Sequence, residues 1–175
     1  MTVRRITAAL FALALLLAGS RVQADPNAME GKPAPDVVLK TIDGQNVQLS
    51  AMKGNVVVMD FWATWCPPCR KSLPHIQELS QNKALADKGL VVWAINAHES
   101  AAVVKKFLDA NKFTFTVPMD TGASMQQYQV KGIPTTIVVG RDGNIVKTFV
   151  GFGGDGSAKA LDAAIATALA VAKEK

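Results

Sequence analysis

The two cysteines of this 175-residue chain stand three positions apart, in the stretch WCPPC from Trp65 to Cys69. A nearly continuous apolar run, NVVVMDF, comes before the stretch and predicts a strand that is covered on both faces. The segment after it has apolar residues at helical spacing and predicts a helix that ends at Gly89. Two prolines fit the first turn of a helix because the N–H groups there have no intrahelical partners. Both thiols are therefore expected at a strand-to-helix junction, at the N-terminus of the helix.

Strand and helix patterns alternate along the rest of the chain. The segments DVVLKTIDGQNVQLS and TTIVVGRDGNIVKTFV each alternate around an Asp-Gly turn and predict β-hairpins. Between them, LVVWAIN predicts a buried strand and SAAVVKKFLDANK predicts a helix capped by Ser100. A short strand, FTFTV, and a weak helix at 124–128 follow, and an amphipathic helix ends the chain. The pattern predicts one α/β domain, residues 35–175, with a mixed sheet between helices.

The first 24 residues have the layout of a secretory signal peptide. Arg4 and Arg5 precede an apolar run of 13 residues, and Ala24 is a small residue at the expected cleavage site. The run is shorter than the roughly 20 residues of a membrane-spanning helix, and an uncleaved membrane anchor is the alternative. We therefore expect export to the periplasm, an oxidising compartment where a cysteine pair can form a disulfide. Residues 25–34, rich in Pro, Gly and polar side chains, are predicted to be a linker.

Most of the net positive charge belongs to this leader. The whole chain has a formal charge of +5, and loss of residues 1–24 removes three arginines and no acid, which leaves +2. The remainder has no basic stripe with interleaved aromatic residues, so we expect no binding to nucleic acid. It is long enough for one domain with its own core, and we expect a monomer.

The residue types and their position favour a redox role for the cysteine pair. Cys66, at the start of the helix, faces the positive end of the helix dipole and unpaired N–H donors, which stabilise a thiolate. Cys69 lies one turn later and is expected to be more buried. We therefore predict that Cys66 attacks a partner disulfide and that Cys69 resolves the resulting mixed disulfide.

Two other uses of the pair are weaker alternatives. A purely structural disulfide that closes so short a loop constrains the unfolded chain little. A metal site would need further ligands, but the chain has no second CxxC motif, and its histidines are His75 and His98. We predict that His75 is a surface or packing residue of the helix and that His98 is a solvated loop residue. No metal and no organic cofactor are expected.

Three segments resemble the exported TlpA/ResA/CcmG-like branch of the thioredoxin superfamily: GKPAPDVVLKTIDGQNVQLSAMKGN, FWATWCPPC and VKGIPTTIVVGRDGNIVKTFVGF. The resemblance implies a thioredoxin-like three-layer sandwich with a mixed central β-sheet, helices on both faces, an extra N-terminal β-hairpin and a central strand-helix insertion. It also implies that Pro134 is cis and faces the disulfide, and that the backbone of Ile133 pairs with an extended substrate. Four further residues are expected at the rim of the substrate groove: Trp65, Pro67, Gly151 and Phe152.

Two positions depart from that branch. Its members commonly carry an acid three residues after the second cysteine, where this chain has Ser72, and often an asparagine six residues before the first, where it has Asp60. A carboxylate at the end of a buried strand is costly unless it is paired or protonated, so we expect a raised pKa. We predict that Asp60 replaces the missing acid and takes the proton of Cys69 through a water. The alternative is a carboxylate that only caps the strand end.

Ordinary thioredoxins pair this aspartate with a lysine on the next strand. The segment VVWAIN has Trp93 at the corresponding place, so the lysine partner of Asp60 is expected to be missing.

The sequence thus predicts an exported thiol:disulfide oxidoreductase that reduces client-protein disulfides. The resemblance implies a membrane thiol transporter of the DsbD/CcdA kind as electron donor and a role in cytochrome c maturation or general redox homeostasis. A thiol peroxidase on the same fold is one alternative, although Thr64 stands two residues before Cys66 instead of the three of the PxxxTxxC signature. A copper chaperone that uses the dithiol as a ligand is the other, with Met59 and His75 as its nearest extra ligands.

Overall fold

A computed structural model describes residues 27–173. The predicted signal peptide, residues 1–24, lies outside this part of the chain. The strands within it are β1 (Val38–Thr41), β2 (Asn46–Gln48), β3 (Val56–Trp62), β4 (Leu90–Ala97), β5 (Pro118–Asp120), β6 (Thr135–Val139) and β7 (Ile145–Val150). The helices are α1 (Pro67–Gln81), α2 (Lys83–Asp87), α3 (Ala101–Asn111), α4 (Ala123–Gln127) and α5 (Asp155–Ala170), with a short 3-10 helix at Ser50–Met52. In the described part, no helix is long and apolar enough to cross a membrane.

The strands form one mixed sheet in the order β2-β1-β5-β4-β3-β6-β7. β3, β4 and β5 are parallel, and the other neighbouring pairs are antiparallel. Every residue of β3 is buried, as its unbroken apolar pattern predicts. The β1–β2 hairpin and the α3–β5 segment are the N-terminal hairpin and the central insertion that the resemblance implies. β5 pairs with both β4 and β1 and so joins the hairpin to the sheet.

The side chains of β3 alternate between two faces, each covered by its own layer. Val58 and Trp62 belong to an apolar cluster that includes residues of α1, α3 and α5. Met59 and Phe61 belong to a second cluster that includes residues of the N-terminal hairpin and of the α4 region. These layers make the predicted three-layer sandwich. Because side chains alternate along a strand, Asp60 lies on the face that α1 covers.

The helix that carries the cysteines is shorter than the sequence pattern predicts. α1 ends at Gln81, and Asn82 adopts extended backbone angles before α2 begins. The side-chain oxygen of Asn82 accepts a hydrogen bond from the N–H of Leu85 at 3.2 Å. Asparagine competes in this way for backbone hydrogen bonds and is favoured as an N-cap, so one predicted helix becomes two.

β5 begins later than the predicted strand FTFTV. The ladder covers Pro118–Asp120, and Thr116 forms an isolated bridge with Trp93. The rings of Phe113 and Phe115 stack with centroids 5.2 Å apart, and Phe115 is buried in the cluster beneath α1 and α3. The aromatic residues that suggested a strand therefore pack in the core of the insertion. The strand β5 begins only after them.

The segment before β1 is hydrogen-bonded to the β6–β7 hairpin. The N–H of Gly31 donates to the carbonyl of Ile145 at 2.8 Å. The Glu30 carboxylate accepts a hydrogen bond from the N–H of Thr148 at 2.9 Å. The predicted linker, residues 25–34, is thus attached to the domain from Glu30 onward.

Candidate active site

The two cysteines form a disulfide at the start of α1. Cys66 is the N-cap of the helix, with φ −87° and ψ 107°, and two prolines occupy the first turn. The two Sγ atoms are 2.07 Å apart, and the N–H of Cys69 donates to the Sγ of Cys66 at 3.2 Å. That N–H is one of the donors that a helix N-terminus leaves without an intrahelical partner. This donor points at the sulfur for which the sequence predicts thiolate stabilisation.

The surroundings of the two cysteines differ. Cys69 is fully buried beneath the surface of α1. Cys66 is the N-cap of the helix and is 3% exposed, whereas Cys69 lies inside the first turn; both cysteines have exposed neighbours in the chain. The exposed area of the pair therefore belongs to Cys66, and Cys69 offers a partner none.

The loop that leads into β6 meets the disulfide. The Ile133–Pro134 peptide bond is cis, as the resemblance implies, and the carbonyl oxygen of Ile133 lies 3.7 Å from the Sγ of Cys66. The hydroxyl of Thr135 donates to the carbonyl of Gly132 at 2.7 Å and closes the loop. Between residues 27 and 173, the N–H of Ile133 has no hydrogen-bond partner. The loop therefore offers an unused backbone donor beside the disulfide.

The end of β7 lies next to this loop. The N–H of Gly151 donates to the carbonyl of Pro134 at 2.8 Å. Gly151 has a φ of +78°, a left-handed conformation that favours glycine. Phe152 follows and is half-buried, while Val150 is 59% exposed. Gly151 is thus hydrogen-bonded to the cis-proline loop, and the residue before it, Val150, is an exposed apolar residue that the sequence did not single out.

Asp60 is a fully buried carboxyl group on the α1 face of β3. Its Oδ1 accepts a hydrogen bond from the hydroxyl of Thr136 at 2.6 Å, whereas its Oδ2 has no partner among the described residues. Burial raises the pKa of Asp60 to about 7, and the hydrogen bond from Thr136 acts in the opposite direction. The raised pKa expected from the sequence is confirmed. A carboxyl group with such a pKa exchanges protons near neutral pH.

Two neighbours of this region correct or refine the sequence analysis. The register of β3 and β4 pairs Asp60 with Ala94. Trp93 belongs to the cluster on the other face of the sheet, away from Asp60 and α1. The residue opposite Asp60 is therefore Ala94 and not Trp93, which one position of register moves to the other face; no lysine stands there, as predicted. Ser72 is buried, and its hydroxyl donates to the carbonyl of Cys69 at 2.9 Å. The hydroxyl proton of Ser72 is therefore used in a hydrogen bond to the helix backbone.

The histidines have the structural roles that the sequence predicts. The Nε2 of His75 lies 2.9 Å from the Oδ1 of Asp162, which links α1 to α5, and the His75 side chain is 18% exposed. His98 is exposed in the loop after β4. Over residues 27–173, no group of three or more His, Cys, Asp or Glu side chains is arranged to hold a metal ion.

One carboxylate near the disulfide was missed by the sequence analysis. The Oε2 of Glu99 accepts hydrogen bonds from the N–H of Thr64 at 2.7 Å and from the side-chain amide of Asn96 at 2.9 Å. Its Oε1 accepts a hydrogen bond from the hydroxyl of Thr64. β3 and β4 are parallel, so an acid just after β4 lies beside the turn that follows β3. An acidic residue just after the predicted strand LVVWAIN was the sequence signal that could have indicated this contact.

A disulfide at a helix N-terminus, beside a cis-proline loop and on a mixed sheet between helices, defines a thiol:disulfide oxidoreductase of the thioredoxin superfamily. The profile of the Redoxin family matches residues 29–165, and the chain belongs to that family.

Known relatives and solved structures agree with this class. Thiol-disulfide oxidoreductase ResA of Bacillus subtilis (strain 168) is 35% identical over 123 residues, which cover 70% of this chain and 68% of ResA. Thioredoxin-like protein YneN of the same strain is 39% identical over 125 residues, which cover 70% of this chain and 72% of YneN. The crystal structure of a putative thiol:disulfide interchange protein DsbE from Chlorobium tepidum has a TM-score of 0.73 and 37% identity, covering 80% of this chain and 97% of that one. The chain is thus similar to the TlpA/ResA/CcmG-like branch.

Proposed function

We propose that this protein is an exported oxidoreductase that reduces disulfides in client proteins. The observation that carries the proposal is the asymmetric Cys66–Cys69 pair at the N-terminus of α1, where Cys69 is fully buried and Cys66, the N-cap of the helix, keeps 3% exposure. The relatives named thiol-disulfide oxidoreductases support dithiol exchange as the reaction. The resemblance to the ResA-like branch supports the reductive direction.

The proposed exchange transfers two electrons and two protons from the dithiol to a client disulfide. The Cys66 thiolate attacks one client sulfur, the client S–S bond breaks, and the other client sulfur leaves as a thiolate that takes up a proton. The Cys69 thiol then loses its proton and attacks the Sγ of Cys66. This second step forms the Cys66–Cys69 disulfide and releases the remaining client sulfur as a thiol.

Asp60 is the proposed acceptor of the Cys69 proton, through a water. Three features support this role. Asp60 lies on the face of β3 that α1 covers, burial raises its pKa to about 7, and its Oδ2 has no partner within the described part of the chain. A base is most effective when its pKa lies near the working pH.

A client segment is proposed to bind in extended form across the disulfide. The N–H of Ile133 is the proposed donor for its backbone, and the carbonyl oxygen of the same residue, just before cis Pro134, lies 3.7 Å from the sulfur of Cys66. The exposed surfaces of Trp65, Pro67, Gly151 and the half-buried ring of Phe152 are the proposed walls of the groove.

The sequence and the relatives support a proposal for the compartment and the partners. Residues 1–24 are proposed to direct export to the periplasm, as a cleaved signal or as a retained anchor. A membrane thiol transporter of the DsbD/CcdA kind is the proposed electron donor, and proteins with cysteines or disulfides, such as apocytochromes c, are the proposed clients. The protein is proposed to act as a monomer.

The wild-type protein and its Cys66→Ser variant provide the test. Both are assayed for reduction of insulin with dithiothreitol as electron donor, for peroxide turnover, and for copper binding. We expect insulin reduction by the wild type, complete loss in the variant, and neither peroxide turnover nor tight copper binding. Peroxide turnover without insulin reduction would identify a peroxidase, and tight copper binding without reduction would identify a chaperone. The reduction potential of the pair then decides the direction of exchange.

A further inference from the structure

Glu99 fixes the turn that precedes Cys66 through several hydrogen bonds to one residue. Thr64 donates both its backbone N–H and its hydroxyl to the Glu99 carboxylate, and Asn96 adds a third donor from its side-chain amide. Hydrogen bonds to a charged acceptor are roughly twice as strong as neutral ones. The carboxylate therefore ties the β3–α1 turn to the end of β4.

The side-chain amide of Asn96 donates to Glu99, and this orientation leaves its own oxygen without a hydrogen bond in the described part of the chain. Its side chain is fully buried, and its Oδ1 has no partner among residues 27–173. Reversing the amide would place Oδ1 against the Oε2 of Glu99, and two acceptors repel each other. A buried polar atom without a partner is normally avoided, so this arrangement holds the carboxylate in place at the expense of Oδ1.

The two ends of the turn, Ala63 and Cys66, are buried in the core, and within residues 27–173 Glu99 supplies the side-chain hydrogen bonds at its corner. The N–H of Cys66 donates to the carbonyl of Ala63 at 3.2 Å, which closes a tight turn with Thr64 and Trp65 at its corner. Trp65 is 68% exposed, so core packing does not hold its ring. The turn therefore fixes the place from which the Trp65 side chain projects, and Glu99 holds that turn through Thr64.

We propose that Glu99 is a positioning residue for client binding. By holding Thr64, it presents the ring of Trp65 at the edge of the disulfide, where an extended client segment binds. This inference rests on the proposed reduction of client proteins. It assigns Glu99 an effect on client affinity that is exerted through Trp65, whereas Glu99 does not touch the reacting sulfurs.

The test compares Glu99→Ala with wild type in insulin reduction, with dithiothreitol as electron donor. Because Glu99→Ala removes a charged hydrogen-bond acceptor, we expect its KM for insulin to be about fivefold higher than that of wild type. We expect kcat, and the rate at which dithiothreitol alone reduces the Cys66–Cys69 disulfide, to change less than about twofold, because a small dithiol does not need Trp65. Glu99→Gln, whose amide oxygen still accepts from the N–H of Thr64, is expected to raise KM less.

A double-mutant cycle with Trp65→Ala separates positioning from a general structural role. If Glu99 acts through Trp65, adding Glu99→Ala to Trp65→Ala leaves KM within about twofold. An equal increase in both backgrounds would overturn the proposal. Should Glu99→Ala fail to fold, Thr64→Val removes the hydroxyl contact alone, and an unchanged KM would also overturn it.

Glu30→Ala is the matched control. The Glu30 carboxylate likewise accepts from a backbone N–H and from a side chain, those of Thr148 and Lys147, but it holds the N-terminal segment instead of the β3–α1 turn. We expect wild-type KM in this variant, and an increase equal to that of Glu99→Ala would contradict positioning. Insulin reduction by Cys66→Ser would refute the proposed function itself, whatever the result for Glu99.

Discussion

Asp60 combines full burial, one hydrogen bond and one unpartnered oxygen, and this combination controls how stability depends on pH. Burial raises its pKa from 3.8 to about 7. Because the folded-state pKa is the higher one, its contribution to stability is complete below about pH 4 and is lost as pH rises through about 7. At about 1.4 kcal/mol per pKa unit, the loss is on the order of 4 kcal/mol.

Asp60→Asn is therefore expected to remove this fall in the free energy of unfolding between about pH 4 and 7. Urea unfolding of the oxidised protein at several pH values measures the difference from wild type. Asp36→Asn is the control: the hydrogen bond from Gln48 holds the pKa of exposed Asp36 below its usual value, so that variant keeps the fall. An unchanged pH dependence in Asp60→Asn would contradict the raised pKa.

The same substitution tests Asp60 as a base. We expect wild-type client reduction to rise with pH through about 7, and Asp60→Asn to lose this rise and react at least about tenfold more slowly. Stopped-flow insulin reduction by the prereduced protein measures both effects. Alkylation of Cys66 by iodoacetamide does not need the Cys69 proton, so its rate should be retained. Equal rates and pH profiles in the two proteins would leave Asp60 as a carboxylate that merely caps the strand end.

At the scale of elements, the sequence located the helices and strands that bury apolar faces but not every boundary. Asn82 interrupts an apolar pattern that continues on both sides of it, so periodicity alone does not reveal the break. The aromatic residues at 113–115 have strand propensity, but they fill the core beside α3. α4, at Ala123–Gln127, is short, and its stability depends on contacts outside the helix.

Asp120 supplies such a contact at the end of β5. It is 4% exposed, its Oδ1 accepts from the N–H of Ser124, and its Oδ2 accepts from the N–H of Met125, each at 3.2 Å. Asp120→Ala removes both acceptors from the start of α4 and is expected to cost about 2 kcal/mol of unfolding free energy. Asp120→Asn, which keeps one acceptor, should cost about half as much.

Urea unfolding measures these costs, with Asp109→Ala as control. Asp109 is an exposed residue of α3, so its loss should change stability by less than about 0.5 kcal/mol. If Asp120→Ala were no more destabilising than Asp109→Ala, the cap would contribute nothing to α4.

At the scale of the whole molecule, the three layers and the cysteine pair were predictable because apolar patterns and the CxxC motif are local signals. The contacts that complete the site depend on which residues face each other across the sheet. The pairing of Asp60 with Ala94 follows from strand register, and the bond from Thr64 to Glu99 joins residues 35 positions apart. A single sequence does not specify such register, which is why Trp93 was misplaced and Glu99 was missed.

The composition of the N-terminal segment did not indicate that it is hydrogen-bonded to the domain. Its glycines and prolines indicate a linker, but Gly31 donates to Ile145, Ile145 donates to Lys32, and Ala34 donates to Gly143, with N–O distances of 2.8 to 2.9 Å. These bonds add the segment to one edge of the sheet. A chain that starts at Pro35 should therefore be less stable than one that starts at Asn27, by at least about 3 kcal/mol at roughly 1 kcal/mol for each of these three bonds, since the two bonds of Glu30 to β7 are lost as well.

Urea unfolding of the two truncated chains measures this difference, and reduction of the Cys66–Cys69 disulfide by dithiothreitol checks the site in the folded fraction of each. We expect equal reduction rates, because the segment binds β7 and the β6–β7 turn and its hydrogen bonds do not involve the disulfide. If the free energies of unfolding of the two truncated chains differed by less than about 0.5 kcal/mol, the segment would be a linker, as its composition suggests. A slower disulfide reduction in the shorter chain would instead mean that the segment supports the site through β7, whose last residues lie beside Pro134.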